Sequence, residues 1–185
     1  MINREEAIIL LDKYIRNENM RKHCLASEAV MRGIASKLGA DEERWGLAGL
    51  LHDNDVEITN ADPKRHGNES APILLEEGFD EEFITAIQLH NEDATDIPRT
   101  TVFQHALAAG ETITGLITAT TLVYPDKKLA SVKPKSITKR MKEKHFAASV
   151  KRENILECEK IGIPIAEFAV LALEAMRGIS DDLGL

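Results

Sequence analysis

Leu47-Ala48-Gly49-Leu50-Leu51-His52-Asp53-Asn54-Asp55 is apolar as far as Leu51 and abruptly polar after it. The adjacent imidazole and carboxylate offer one nitrogen and up to two oxygens at a single backbone position. That donor set suits a divalent transition metal. Taken alone, a His-Asp pair at the end of a helix is more often a cap or a surface feature, so its meaning depends on the flanking sequence.

Upstream, Asp41 is placed to cap a helix that runs through Trp45 to Leu51 and delivers His52 and Asp53. Before it, Asn3 to Arg16 reads as a first helix, with Asn3 as N-cap and Glu5-Glu6 in its first turn. A second helix spans about Asn19 to Leu38 and stops at Gly39. Ile34, Val30, Ser27 and His23 fall on one line of it, so His23 sits at the N-terminal end of an inward face. Downstream, residues 54–65 read as a polar loop. His66-Gly67-Asn68-Glu69-Ser70 then opens a fourth helix that ends before Gly78. Asp80 caps a fifth, on which Phe83, Ile87 and His90 share a face at i, i+4 and i+7.

Asn91 to Pro98 is acidic and loop-like, and a sixth helix follows from about Thr101 to Thr118. Between Thr100 and Pro125 the only charged side chain is Glu111. A helix apolar on nearly every side is buried, and a buried carboxylate must be paired, protonated or metal-bound. Yet Glu111 points away from the stripe Val102, Ala106, Ala109 and Ile113, and a solvent-facing carboxylate fits the periodicity equally. Lys127 to His145 is a basic island holding a single acid, Glu143. It reads either as a solvated helix and loop or as a phosphate-attracting rim. Two closing helices, about Lys151 to Ile161 and Pro164 to Met176, complete an all-α helical bundle, with Pro164 suited to a first-turn position.

Composition narrows the function. With 185 residues and neither a repeat nor a linker, one domain is expected. A net charge of −8 disfavours long nucleic acid as a partner. Two cysteines, Cys24 and Cys158, are too few for a disulfide framework and suit a cytoplasmic protein. Arg4, Glu5 and Glu6 precede any apolar run, which speaks against a secretory signal, and the uncharged run Thr112 to Pro125 is too short for a membrane span. Cys24 and the remaining histidines, His105 and His145, read as packed or surface groups. No Gly-rich phosphate loop or Gly-x-Ser-x-Gly elbow is present.

His23, His52-Asp53, His66, His90 and Glu111 lie on five different expected elements, as needed when a helical bundle builds a metal site in its core. Imidazoles and carboxylates without a thiolate cluster favour an open catalytic site over a structural zinc site. The order resembles the HD superfamily of metal-dependent phosphohydrolases, and is most similar to its small stand-alone HDIG-type prokaryotic hydrolases. Leu50-Leu51-His52-Asp53 matches the motif that names the family. His66-Gly67 with Ser70-Ala71, and Ile87-Gln88-Leu89-His90, resemble the extra histidines of two-metal members. Ala108-Ala109-Gly110-Glu111 stands where an Ala-Asp pair is usual, and Lys142-Glu143-Lys144, Phe146-Ala147 and Arg152-Glu153 resemble the same branch.

The resemblance implies a first divalent ion on His23, His52, Asp53 and Glu111, and a second on Asp53, His66 and His90, with Asp53 bridging. Iron, manganese, nickel, cobalt and zinc suit such donors better than magnesium. The implied activity is hydrolysis of a phosphate ester, on a nucleotide or another small phosphorylated metabolite, by a metal-activated water. Asp55 and Glu57 are candidates for proton transfer, and Lys64 and Arg65 for holding phosphate; solvation of a polar loop explains all four equally. Because Glu111 replaces the usual Asp, a non-catalytic metal- or nucleotide-binding sensor is the alternative, and a purely structural helical adaptor a further one.

Overall fold

A computed structural model describes residues 2–185, and among the described residues there is no strand. The chain runs α1 (Arg4–Tyr14), α2 (Glu18–Leu38), α3 (Glu42–Leu51), α4 (Ser70–Glu76), α5 (Glu81–Gln88) and α6 (Val102–Leu122), then α7 (Pro134–Arg140), α8 (Arg152–Ile155), α9 (Ile165–Arg177) and α10 (Ser180–Leu183). The long helices α2 and α6 form the spine: α2 packs on α3, α6 and α9, and α6 also meets α5, α7 and α8. None of the helices is long and apolar enough to cross a membrane.

Capping residues set most boundaries. The Asn3 and Asp41 side chains accept the Glu6 and Arg44 N–H groups, and Gly39 closes α2 at φ 68°. The contact between α2 and α3 positions the His-Asp pair, and it depends on one small residue. A Cβ on Gly49 would lie 2.5 Å from the Ser27 carbonyl oxygen and 2.8 Å from the Glu28 nitrogen, both rigid helix backbone. Only glycine lets the two helices approach this closely. α1 is tied to the pair by Arg4, whose Nε and Nη2 bond the buried Glu28 carboxylate at 2.6 and 3.0 Å.

Five elements differ from the sequence reading. α4 begins at Ser70, not at His66, because the 66–69 segment is held as turns by bonds to Asp55 described below. α6 continues to Leu122: the Thr120 and Thr121 hydroxyls donate to the Leu116 and Ile117 carbonyls, which suits buried threonines in a helix. Lys151 to Ile161 is one turn of α-helix followed by a 3-10 stretch from Leu156 to Ile161. Pro164 precedes α9 as its N-cap, and α10 is additional. The basic island consists of α7 and flanking turns, with most of its lysines exposed.

Candidate metal centre

The His52 ring lies just past the last turn of α3 and its Nδ1–H donates to the Gly49 carbonyl at 2.8 Å. His90, just past α5, does the same toward the Ile87 carbonyl at 2.5 Å. The His52 ring therefore satisfies a carbonyl at the end of its helix, the Ile87 carbonyl accepts both the ring and the backbone N–H of His90, and both rings turn Nε2 inward. His23 reaches a similar state from within α2. The Thr114 hydroxyl gives its single proton to the Glu111 carbonyl and so accepts from His23 Nδ1–H at 3.0 Å. The His66 Nδ1–H donates to Asp55 at 2.7 Å. Anchoring of Nδ1 from behind is how proteins orient metal-binding imidazoles.

All four Nε2 atoms converge on Asp53. Its Oδ1 lies 2.9 Å from His66 Nε2, 3.3 Å from His52 Nε2 and 3.4 Å from His90 Nε2, and its Oδ2 lies 3.4 Å from His23 Nε2. Glu111 joins from α6, with Oε2 3.7 Å from His23 Nε2. Its side chain is 14 % exposed. α6 is packed on nearly all sides, and the direction away from the Ala106–Ile113 stripe leads into the site cavity rather than to open solvent. The six sequence-derived donors are thus brought together. Two triads are spaced for an ion, His23-His52-Glu111 and His52-Asp53-His90. His52 belongs to both, so the donors form one continuous array rather than two separate sets.

The electrostatics of the array fit a divalent ion. Burial holds His52 down to about 3 and also lowers His23, so both rings are neutral at pH 7. Their proton-free Nε2 atoms nevertheless face each other at 3.1 Å. Two opposed lone pairs repel unless a positive centre lies between or beside them, and a divalent ion fits that need. On the other side, burial disfavours charge on His66, but its bonds to Asp53 and Asp55 outweigh this and raise its pKa to about 10. A proton there occupies a position a cation would take. Burial pushes Glu111 up to about 8, with the Asp53 charge adding to the effect against the Thr112 hydroxyl bond. Burial would raise Asp53 too, but the surrounding imidazoles, above all the protonated His66 whose Nε2 lies at 2.9 Å, hold it well below the usual carboxylate range.

A pH dependence follows. Metal binding must displace the protons on His66 and Glu111. Titrating manganese into weakly buffered, metal-free protein at pH 7 should release about two protons per chain. Above pH 8 Glu111 is ionised beforehand, and release should fall toward about one. Apparent metal affinity therefore rises with pH, steeply below 8 and less so above. Proton release that is zero at pH 7 would remove this account of the array.

The other sequence candidates lie elsewhere. Asp55 is wholly buried behind His66, with its oxygens bonded to His66 Nδ1 and to the Gly67 and Ser70 N–H groups. It orients the His66 ring and does not face the cavity, so geometry gives no support to a proton-transfer role. Glu57 accepts from the Arg16 and Asn17 N–H groups at 2.8 and 2.7 Å and fastens the α1–α2 turn. Lys64 donates to the Asp93 carbonyl and Arg65 pairs with Glu69; neither lines the cavity, nor does the basic island. Cys24 and Cys158 are buried free thiols raised by burial, the latter to about 12, which makes them poor nucleophiles. His105 bonds Glu157 at 2.8 Å, outside the cluster.

The array opens into a cavity of about 290 Å³, and Lys151 is the one lysine or arginine that lines it. Its Nζ is held at 2.6 Å from both Glu92 and Asp93. The 149–154 strap along one side of the cavity is shaped by Arg152, whose guanidinium donates to the Glu143, Phe146, Ala147 and Val150 carbonyls. Sequence reasoning missed Lys151 because it follows the conspicuous basic island; the adjacent Arg152-Glu153 was the available signal. Behind the site, buried Arg99 bonds Glu157 through Nε and Nη2, and its Nη1 donates to the Leu89 and His90 carbonyls, which fixes the backbone that carries His90.

Fold and site together define an all-α protein with a histidine–carboxylate centre assembled from four helices and one turn of a helical bundle. The HD domain family model matches residues 20–117, just over half of the chain, and spans all six converging donors. The chain belongs to the HD domain family, whose members are generally metal-dependent phosphohydrolases. No curated protein and no solved structure matches it.

Proposed function

We propose that this protein is a metal-dependent phosphohydrolase acting on a small phosphate ester. The observation that carries the reading is the junction, in one cavity, of five of the six donors with the lysine Lys151. His23, His52, Asp53, His66, His90 and Glu111 would hold one or two divalent ions. When bound, such an ion supplies Lewis-acid stabilisation of phosphate charge and lowers the pKa of a water. The chain's own residues do the rest. Lys151, braced by Glu92 and Asp93, stands where it can bond a phosphate oxygen, and Asn154 and Ser149 add neutral donors at the same wall. Three acids, Asp53, Glu92 and Glu111, also line the cavity, so a polyanion without an ion in place would be repelled.

The test is turnover of a panel of small phosphate esters by protein loaded with manganese, iron, cobalt, nickel or zinc. Binding without product release would instead support the sensor reading. Lys151→Met provides the residue-level check. Loss of a charge-assisted bond should lower kcat/KM about 10- to 100-fold. The effect should fall mainly on KM, since the freed Glu92 and Asp93 would then face an incoming phosphate. An unchanged KM would remove Lys151 from the phosphate site.

A further inference from the structure

On the side of α2 and α6 the metal cavity borders a second space. This is a larger cleft of about 530 Å³, and His23 and Gly115 line both. Its walls are two helix faces. Asn19, Lys22, His23 and Ala26 recur on α2 at i, i+3, i+4 and i+7, and Gly115, Ala119 and Leu122 follow the same spacing on α6. His23 meets Thr114, whereas Met31 and Ile34 approach Gly110, so the helices run antiparallel and the cleft leads away from the metal centre. From Gly115 to Leu122 the α6 wall is about 10 Å long. Leu183 of α10 closes one side.

This cleft has the chemistry of an aliphatic slot. Alanine, leucine and glycine with one threonine form most of its surface, and Leu122 is 50 % exposed along it. No phenylalanine, tyrosine or tryptophan lines either cavity, so there is no aromatic face on which a nucleobase could stack. Gly115 sits at the junction, and a Cβ there would press on Val150 of the strap at 3.3 Å. The missing side chain lets Val150 pack closely against α6 where the two cavities share a wall. A phosphate held at the metal centre would have its ester oxygen near this shared wall, and the adjoining cleft is the apolar space beside it.

We infer that the α2–α6 cleft is the subsite for the organic part of the substrate, and that this part is a compact aliphatic alcohol rather than a nucleoside. The inference rests on the phosphohydrolase reading for its orientation, since the phosphate must lie at the donor array. The experiment uses n-alkylphosphonates from methyl to hexyl, whose C–P bond is not hydrolysed, with binding to metal-loaded protein followed by calorimetry.

In the wild-type protein each added methylene should tighten Kd about fourfold, until the chain passes Leu122. Ala119→Trp, on a partly exposed position, should abolish this dependence by filling the slot. Leu122→Glu, at the half-exposed outer wall, should weaken hexylphosphonate far more than ethylphosphonate without disturbing the fold. Affinity independent of chain length, no binding at any length, or an unchanged dependence in both variants would overturn the inference. Chain-length-dependent phosphonate binding without turnover of any ester would leave the cleft standing and remove the hydrolase reading. Ester turnover with no chain-length dependence would do the reverse.

Discussion

Asp53→Asn should abolish metal binding and, with it, ester hydrolysis by at least about 1,000-fold. The expectation comes from charge rather than from proximity alone. Asp53 touches every imidazole of the array, at 2.9 to 3.4 Å. It is also the carboxylate of the array that is ionised in the metal-free chain at neutral pH, because Glu111 is raised to about 8. Asparagine preserves the shape and removes the one firm negative charge. Its amide nitrogen would also donate to an Nε2 lone pair that an ion needs. A second reading of the same variant does not depend on activity. An ion present at about 100 times its Kd stabilises the folded state by about 2.7 kcal/mol. In a chain of this size that raises Tm by roughly 5–10 °C. Wild-type protein should show this rise on adding manganese, and Asp53→Asn should not. Metal affinity within tenfold of wild type in the variant would show that Asp53 is not central to the array.

The parts of this site that sequence made legible are those set by local chemistry. Asp41, Asp80 and Asn3 cap the helices they were expected to cap, and Gly39 ends α2, because a cap bonds residues two or three positions away. The inward line Ile34–Val30–Ser27 is buried, with His23 at its inner end, because helical periodicity is a local property. What could not be read depends on distant partners. The start of α4 was misplaced because the 66–69 turn is fixed by a carboxylate up to 15 residues earlier. Glu111 was ambiguous because its direction has meaning only once α2 and the 149–154 strap are docked against α6. Density of charge pointed to Lys64, Arg65 and the basic island as phosphate contacts. Lys151 lines the cavity instead, through the strap that Arg152 gathers from four carbonyls.

Asp55→Ala should cost about 3–5 kcal/mol of stability, whereas Asp55→Asn should cost far less and still impair the metal centre. The carboxylate accepts from Gly67 N–H through both oxygens, at 3.1 and 2.8 Å, from Ser70 N–H at 3.0 Å, and from His66 Nδ1–H. Alanine leaves these donors buried without partners. The turn also has no slack, because Gly67 has φ 93° and any Cβ there would lie 3.3 Å from the Gln88 carbonyl. Asparagine can keep its oxygen on the Gly67 and Ser70 N–H groups, which places its NH₂ against His66 Nδ1. Two donors cannot share that contact, so His66 must move its proton to Nε2. The nitrogen that faces Asp53 and His90 would then be closed to an ion. Loss of this kind of supporting bond lowers metal affinity or activity about 10- to 100-fold. The tautomer is directly visible in the ¹⁵N chemical shifts of the His66 ring in metal-free protein above pH 10, where the wild-type ring is neutral and protonated on Nδ1. A variant that loses stability but keeps the Nδ1–H form and full metal affinity would reduce Asp55 to a purely structural cap. The expected switch to Nε2–H, with folding largely retained, would show that this buried acid sets the ligand's readiness from behind.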